Sequence, residues 1–374
     1  MADDILQARI DELEDELKNT KVNKRTEMAV GQLKGKIAKL KAEMEAKSKG
    51  GKGGEGFAVK KEGDATVGLL GKPSVGKSTL LGKVTNKDSK IGAYEFTTLD
   101  CVPGLLHHKH TNLQILDLPG IIDKASDNRG FGRKVLSVVR ACDLVVLVVD
   151  ATQPFKDLNM LFNETQNSNI KFNQTPPNIS VAKKPHGSIS IPLNNSQETL
   201  PDELVEEMLK DMGYINAEVI IHEKNATIDD LVDACYSNIE YKKAVICFNK
   251  IDLFSVDEMA KIKQKVENEY PYFELFGISA EAEVNIDKFK DFIWDQLGFI
   301  WVYLKEQRKE PDLEKPLVVK KGDTVRDVCE KIHKDMLAKF RYCKLKGQSA
   351  KFDWQRVGLD HEVKDKDIVE IYVR

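Results

Sequence analysis

No stretch of this 374-residue chain approaches the roughly 18 consecutive apolar residues that a membrane-spanning helix needs. The polar start Met1-Ala2-Asp3-Asp4 lacks the basic-then-apolar layout of a secretory leader, so the expected setting is cytoplasmic, with no membrane partner. Paired cysteines are missing too. Cys101, Cys142, Cys235, Cys247, Cys329 and Cys343 form no C-x-x-C motif, which excludes a disulfide framework or a zinc ribbon and leaves reduced core thiols. No Cys/His nucleophile constellation is present, and this weighs against a factor that chemically modifies RNA. Net charge is small at −3, yet it hides an asymmetry. Residues 1–17 carry seven acids against Arg9, whereas residues 18–61 carry thirteen Lys/Arg against four Glu, a local net of +9. That block reads either as a footprint for a phosphate backbone or ribosomal RNA, or as a solvated helical face with a lysine-rich linker.

What the chain does contain is a phosphate-binding loop. Gly71-Lys72-Pro73-Ser74-Val75-Gly76-Lys77-Ser78 follows the strand-like run Ala65 to Leu70 and leads into a helix that continues through Thr79. Glycine permits the tight turn, backbone N–H groups converge on a phosphate, Lys77 reaches the β/γ-phosphates, and the Ser78 hydroxyl binds Mg²⁺. The helix adds its positive N-terminal dipole. Asn249-Lys250-Ile251-Asp252, after the apolar run Ala244 to Phe248, selects guanine, because the Asp252 carboxylate accepts from the N1–H and N2 amine while adenine offers no such pair of donors. Asn249 braces the loop and meets the other edge of the base. Ser279-Ala280, after Phe276 to Ile278, places a backbone amide for the guanine O6, though Ser279 also reads as a capping serine. Asp117-Leu118-Pro119-Gly120 supplies a carboxylate that holds Mg²⁺ through water and, at Gly120, an amide that senses the γ-phosphate. The expected ligands are therefore GTP and GDP with Mg²⁺.

Periodicity organises the rest. Leu6, Ile10, Leu13 and Leu17 share one helical face, and Val30, Leu33, Ile37, Leu40 and Met44 form a second stripe, so residues 1–49 read as a helical hairpin turning between Thr20 and Thr26. The short helices favour packing within the chain over a dimeric coil. A Gly/Lys linker at 50–64 tethers that hairpin to an α/β domain at 65–168 and 242–298, whose strands alternate with helices in a mostly parallel sheet. From Asp150 to Asn249 there are 99 positions, too many for a minimal crossover, so residues 169–241 read as an inserted small α/β subdomain. Within it Asp202 to Met212 reads as a helix, Ala217 to Ile221 as a strand, and Thr227 as the cap of a helix reaching Cys235. Residues 299–374 carry strand Leu317 to Val319, a helix Val325 to Leu337, and strands near Arg341 to Leu345 and Ile368 to Val373, the order of a β-grasp module.

With these residues in view, the chain resembles the developmentally regulated GTP-binding proteins, the DRG/Rbg branch of the Obg-like GTPases. The resemblance runs over nearly the whole length. It is carried by Asn23-Lys24-Arg25-Thr26, Gly31-Gln32-Leu33-Lys34, Pro73-Ser74-Val75-Gly76-Lys77-Ser78, Tyr94-Glu95-Phe96-Thr97-Thr98-Leu99, Val102-Pro103-Gly104 and Asp117-Leu118-Pro119-Gly120-Ile121-Ile122. It continues through Asn216-Ala217-Glu218-Val219, Ala226-Thr227-Ile228-Asp229-Asp230, Gln355-Arg356-Val357-Gly358 and Asp360-His361. The resemblance implies a helix-turn-helix-like amino domain, a P-loop GTPase interrupted by a ribosomal-protein-like insert, and a C-terminal TGS module. It also implies work in translation, contact with the ribosome, rRNA or tRNA, and a DRG-family regulatory protein as partner, the chain being a monomer or a heterodimer. It places Thr98, with Thr97 as the alternative, as the switch hydroxyl on Mg²⁺.

The chain departs from that family pattern at Lys72, where an aromatic residue is usual, at Lys124, where glycine is usual, and at Ala29, where histidine is usual. Ile121 stands where many small GTPases carry a water-orienting glutamine, so intrinsic hydrolysis is expected to be slow. K⁺ beside the phosphates is a candidate source of the missing positive charge, although Ser74 stands where K⁺-using relatives often have asparagine. The alternative function is a ribosome-associated scaffold whose GTP is structural.

Overall fold

The computed structural model describes residues 2–20, 26–49, 63–85, 102–118, 138–167, 169–192, 200–235 and 239–373. Thr97, Thr98, Gly120, Ile121, Lys124, the hairpin turn at 21–25 and the linker glycines from Gly50 to Gly56 lie outside these residues. The chain opens with α1 (Ala2–Asn19) and α2 (Glu27–Lys49), followed by β1 (Ala65–Leu70), α3 (Lys77–Val84), β2 (Val102–His108), β3 (Thr111–Asp117), β4 (Leu144–Asp150) and α4 (Pro154–Asn167). Next come β5 (Ile170–Phe172), β6 (Ile179–Lys183), β7 (Ile189–Ser190), α5 (Asp202–Asp211), β8 (Ala217–Ile221), α6 (Ile228–Cys235), β9 (Glu240–Lys242) and β10 (Ala244–Asn249). After a 3-10 turn at Ile251–Leu253 come α7 (Val256–Glu269), β11 (Glu274–Gly277), α8 (Ile286–Gln296), β12 (Phe299–Leu304) and β13 (Leu317–Lys320). The chain closes with α9 (Val325–Ile332), α10 (Lys334–Lys339), β14 (Phe340–Lys346), β15 (Gln355–Val357) and β16 (Asp367–Val373).

These elements form two compact units, residues 57–168 with 242–374, and residues 1–56 with 169–241. In the first, six strands lie in the order β11-β10-β4-β1-β3-β2, parallel throughout except for the antiparallel pair β2 and β3. Every residue of β1, β4 and β10 is buried, which explains their unbroken apolar runs: helices cover both faces of a parallel sheet. Leu80, Leu81 and Val84 of α3, with Phe289 and Ile293 of α8, pack on Val67, Leu69 and Val146. The ends of β1, β3 and β10 consequently face one edge, where ligands of such sheets bind.

The C-terminal sheet has the order β13-β12-β16-β14-β15, with β12 parallel to β16 and the remaining pairs antiparallel. Val325, Val328 and Cys329 of α9 fill its core with Val302, Val319, Leu345 and Val369. The helix expected from Val325 to Leu337 is in fact two. His333 adopts an extended conformation (φ −165°, ψ 133°), and its Nδ1 accepts from the Asp335 N–H at 3.2 Å to start α10.

In the second unit, β6, β8 and β7 form a three-stranded sheet covered by Leu204, Val205, Met208 and Leu209 of α5 and Leu231 of α6. Thr227 and Asp230 cap α6 reciprocally: the Asp230 N–H donates to Thr227 Oγ1 at 3.2 Å, and the Thr227 N–H to Asp230 Oδ2 at 2.8 Å. The hairpin, read from sequence as a separately tethered piece, joins this unit. Val30, Leu33 and Ile37 of α2 are buried along one stripe together with Ile10 of α1. A second face of α2 meets α5 through glycines: a Cβ on Gly31 would lie 3.1 Å from Met208 Sδ, and one on Gly35 3.5 Å from Met212 Cε. Lys34 Nζ adds an ion pair to Asp229 Oδ1 at 2.6 Å.

Gly31→Ala is expected to be close to neutral, because the flexible Met208 yields and alanine raises helix propensity. Gly31→Leu is expected to cost about 1–3 kcal/mol by overpacking the α2/α5 contact. Urea unfolding with hydrogen exchange on α2 and α5 checks both, and unchanged protection in Gly31→Leu would contradict the packing described.

Candidate nucleotide site

From Leu70 the chain turns through Gly71 to Gly76 into α3. Gly71 is dictated by close approach, since a Cβ there would sit 2.3 Å from the Val148 carbonyl oxygen of β4. Gly76 takes a left-handed conformation (φ 92°), as does Ser74 (φ 63°), while Val75 is fully buried and anchors the loop in the core. Lys77 is 7% exposed, and its ammonium donates to the carbonyls of Gly71 at 2.8 Å and Lys72 at 2.9 Å, closing the mouth of the loop. Ser78 and Thr79 follow, both exposed, in the first turn of α3. Ser78 Oγ donates to Asp117 Oδ2 at the end of β3. The other carboxylate oxygen, Asp117 Oδ1, is buried and has no hydrogen-bond partner among the described residues. An orphaned carboxylate oxygen beside a serine hydroxyl is an all-oxygen donor set that fits a hard cation such as Mg²⁺.

At the end of β10, Asn249 is 3% exposed and uses both ends of its amide. Nδ2 donates to the Val75 carbonyl at 2.7 Å, and Oδ1 accepts from the N–H groups of Lys250 and Ala280, each at 2.9 Å. Of the Ser279-Ala280 pair, expected to offer a backbone amide to the guanine O6, the Ala280 amide is held by Asn249. Ser279 is buried, and its Oγ accepts from the Ala282 N–H at 3.1 Å, so the hydroxyl braces the turn. Asp252 is exposed within the 3-10 turn. Lys83 of α3 pairs with Glu283, tying α3 to the same loop.

Lys72 and Lys250, read from sequence as nucleotide contacts, have their ammonium groups engaged by acids beneath the loops. Lys250 Nζ lies 2.6 Å from Asp150 Oδ2, and Lys72 Nζ lies 2.7 Å from Oδ1 of Asp157, which is 1% exposed. The Asp150 N–H donates to Asp157 Oδ2 at 3.0 Å, linking the two pairs. Burial raises the Asp150 carboxyl, but hydrogen bonds from Lys250 and Thr152 more than offset it and hold the group below the usual carboxylate range. Sequence reading missed both acids. The signal for Asp150 was present, as a carboxylate closing the otherwise apolar strand Leu144–Asp150.

Gly71 to Thr79, Asp117, Asn249, Lys250, Asp252, Ser279 and Ala280 therefore gather at the strand ends of one sheet edge. Thr98 and Gly120 lie outside the described residues.

Three family models match successive parts of residues 66–373. A 50S ribosome-binding GTPase model matches residues 66–184, the C-terminal region of that domain matches 186–299, and a TGS domain matches 300–373. The chain is 39% identical over 367 residues to developmentally-regulated GTP-binding protein 1 of Xenopus laevis, covering 97% of this chain and 98% of that protein. Developmentally-regulated G-protein 3 of Arabidopsis thaliana is also 39% identical over 367 residues, 97% of each. An uncharacterized GTP-binding protein of Methanocaldococcus jannaschii is 42% identical over 370 residues, 99% of this chain and 93% of that protein. The fold is a P-loop GTPase with a C-terminal TGS domain, and the chain belongs to the developmentally-regulated GTP-binding protein family.

Proposed function

We propose that this chain binds and hydrolyses GTP as a cytoplasmic switch associated with the ribosome. The observation that carries the reading is the Asn249 amide, which ties the phosphate loop at Val75 to the guanine-reading turns at Lys250 and Ala280. The loop amides and Lys77 bind the β/γ-phosphates, and Asp252 accepts from the guanine edge. Ser78 and Asp117, with Thr98 from the switch, hold Mg²⁺, which when bound neutralises charge on the phosphate oxygens. Gly120 senses the γ-phosphate. A ribosomal RNA or tRNA contact is supported by the description of the matching GTPase model as 50S ribosome-binding. A regulatory protein of the DRG type is the expected partner, and K⁺ the expected stimulating ion. Ile121 cannot orient water, which favours slow turnover and keeps the scaffold with structural GTP as the second reading.

The deciding measurement is GTP turnover in potassium and sodium buffers, with and without ribosomes. Turnover that disappears in Lys77→Ala and Asp117→Ala is expected, as are stimulation by ribosomes and a faster rate in K⁺. Tight binding with no turnover in any condition selects the scaffold, and equal rates in the two salts remove K⁺.

Asp252→Asn is expected to weaken GTP binding by roughly 10²-fold, since two charge-assisted hydrogen bonds are each worth about 1.5–3 kcal/mol. The same variant should gain affinity for xanthosine triphosphate, whose C2 carbonyl accepts where the guanine amine donates. Competition with fluorescent GDP reads this out, and an unchanged base preference would remove Asp252 from the site. Asn249→Ala leaves the Val75 carbonyl and the Ala280 N–H unpaired, at about 1–3 kcal/mol each. Both thermal stability and nucleotide affinity are expected to fall, and a loss of affinity at unchanged melting temperature would contradict the bracing role.

A further inference from the structure

We propose that the β2–β3 hairpin couples nucleotide state to the seat of the C-terminal domain, with Asp117 as its input end and Lys109, His110 and Asn112 as its output end. The proposal rests on the nucleotide reading and names a regulation of that site. Its first observation is a broken local rule. Lys109 and His110 form the two-residue turn between His108 and Thr111, and both take left-handed backbone, with φ 47° and 64°. A turn with two positive φ angles ordinarily carries Asn-Gly, because residues with a Cβ resist that conformation. Such strain persists only where surrounding contacts impose it.

Those contacts lead away from the hairpin. Lys109 Nζ lies 2.8 Å from Asp291 Oδ1 of α8 and 4.9 Å from the centroid of the Trp294 ring. His108 Nε2 meets the same carboxylate oxygen at 2.9 Å. The His110 ring stands nearly perpendicular to that of Trp301 in β12, with centroids 6.1 Å apart, and Trp301 meets Trp294 at 5.8 Å. A second route leaves β3 at Asn112. Its N–H donates to Asp64 Oδ2 at 3.0 Å, and Asp64 Oδ1 lies 2.9 Å from Lys331 Nζ of α9. Trp301 and Lys331 both belong to the C-terminal domain.

The other end of the ribbon lies at the nucleotide edge. β3 ends at Asp117, which accepts from Ser78, and β2 pairs with β3 at seven positions, from Val102 opposite Asp117 to His108 opposite Thr111. β2 is the edge strand, so among the strands β1 alone holds this pair in the sheet. A ribbon paired along its whole length transmits displacement from one end to the other. Asp117 shares with Ser78 the cation that bridges β- and γ-phosphate oxygens in GTP and has only the β-phosphate in GDP, so the end of β3 is held differently in the two states. At the junction the indole N–H groups of Trp294 and Trp301 are buried and have no hydrogen-bond partner among the described residues. Unsatisfied donors and a strained turn both raise the energy of this arrangement, which leaves a second one within reach of the nucleotide.

Two of the three tryptophans sit at this junction, so Trp354→Phe in the full chain leaves a fluorescence reporter of the junction alone. In that background GDP and a non-hydrolysable GTP analogue, each with Mg²⁺, are expected to give different acrylamide quenching. Coupling is reciprocal, so breaking the junction must change the ratio of the two affinities. Lys109→Asn/His110→Gly is expected to shift that ratio about five-fold or more and to bring the two quenching curves together. This variant installs residues that the turn prefers, so the hairpin stays folded while both tip contacts are lost. Asp291→Asn and Lys331→Ala are expected to shift the ratio in the same direction by smaller factors. Identical quenching with the two nucleotides, or an unchanged ratio in Lys109→Asn/His110→Gly, would overturn the coupling while leaving nucleotide binding intact. Binding of neither nucleotide would defeat the nucleotide reading and the coupling with it.

Discussion

One buried side-chain amide holds the nucleotide domain's working edge together. Asn249 reaches across 174 residues of sequence to the Val75 carbonyl, and its other end gathers the N–H groups of Lys250 and Ala280. At 3% exposure water cannot replace these bonds, so each is strong and each is expensive to lose. The same amide explains Gly76. A Cβ there would stand 2.3 Å from Asn249 Nδ2, and the backbone at φ 92° is one that other residues resist. The glycine of the phosphate loop and the asparagine of the guanine motif are thus one steric and polar constraint, not two independent motif positions.

Beneath that joint runs a charged frame. Lys72, Asp157, Asp150 and Lys250 form a line with the cations outermost and the two carboxylates joined through the Asp150 N–H. A carboxylate as buried as that of Asp157 must have a partner, and Lys72 supplies it from within the phosphate loop itself. Asp150 is more acidic in the fold than its ordinary value of 3.8, so its contribution is fully present above that pH and fades as pH falls through the folded-state value. The loop that cradles phosphate and the turn that reads the base stand on one electrostatic support.

The parallel strands were legible because they are buried on both faces: a run such as Leu144–Asp150 is apolar throughout and ends on a polar residue at the ligand edge. The ion pairs were not, since nothing near Lys72 in sequence points to Asp157. The second face of α2 escaped for a different reason. Val30, Leu33 and Ile37 announce a stripe, but the contact with α5 is made by Gly31 and Gly35, that is, by missing side chains, which periodicity cannot register. Apolar spacing likewise continues from Val325 and Val328 through Ile332 to Met336, so the break at His333 left no trace in the pattern.

The C-terminal sheet shows how a period of two is put to different uses along one face. Its inner face packs on α9 from end to end, as a β-grasp core requires. Its outer face is covered where Trp301 and Val318 meet the nucleotide domain. Beyond β16 solubility alone would be served by scattered charges of both signs, yet the chain places two stacked tyrosines among Arg341, Lys344 and Arg356. The ring pair is worth about 0.5–1.5 kcal/mol, and Lys344 and Arg356, directly opposite each other on β14 and β15, repel one another. The contacts of Lys344 with the Tyr372 ring and of Arg356 with the Tyr342 ring hold that patch together without an apolar partner.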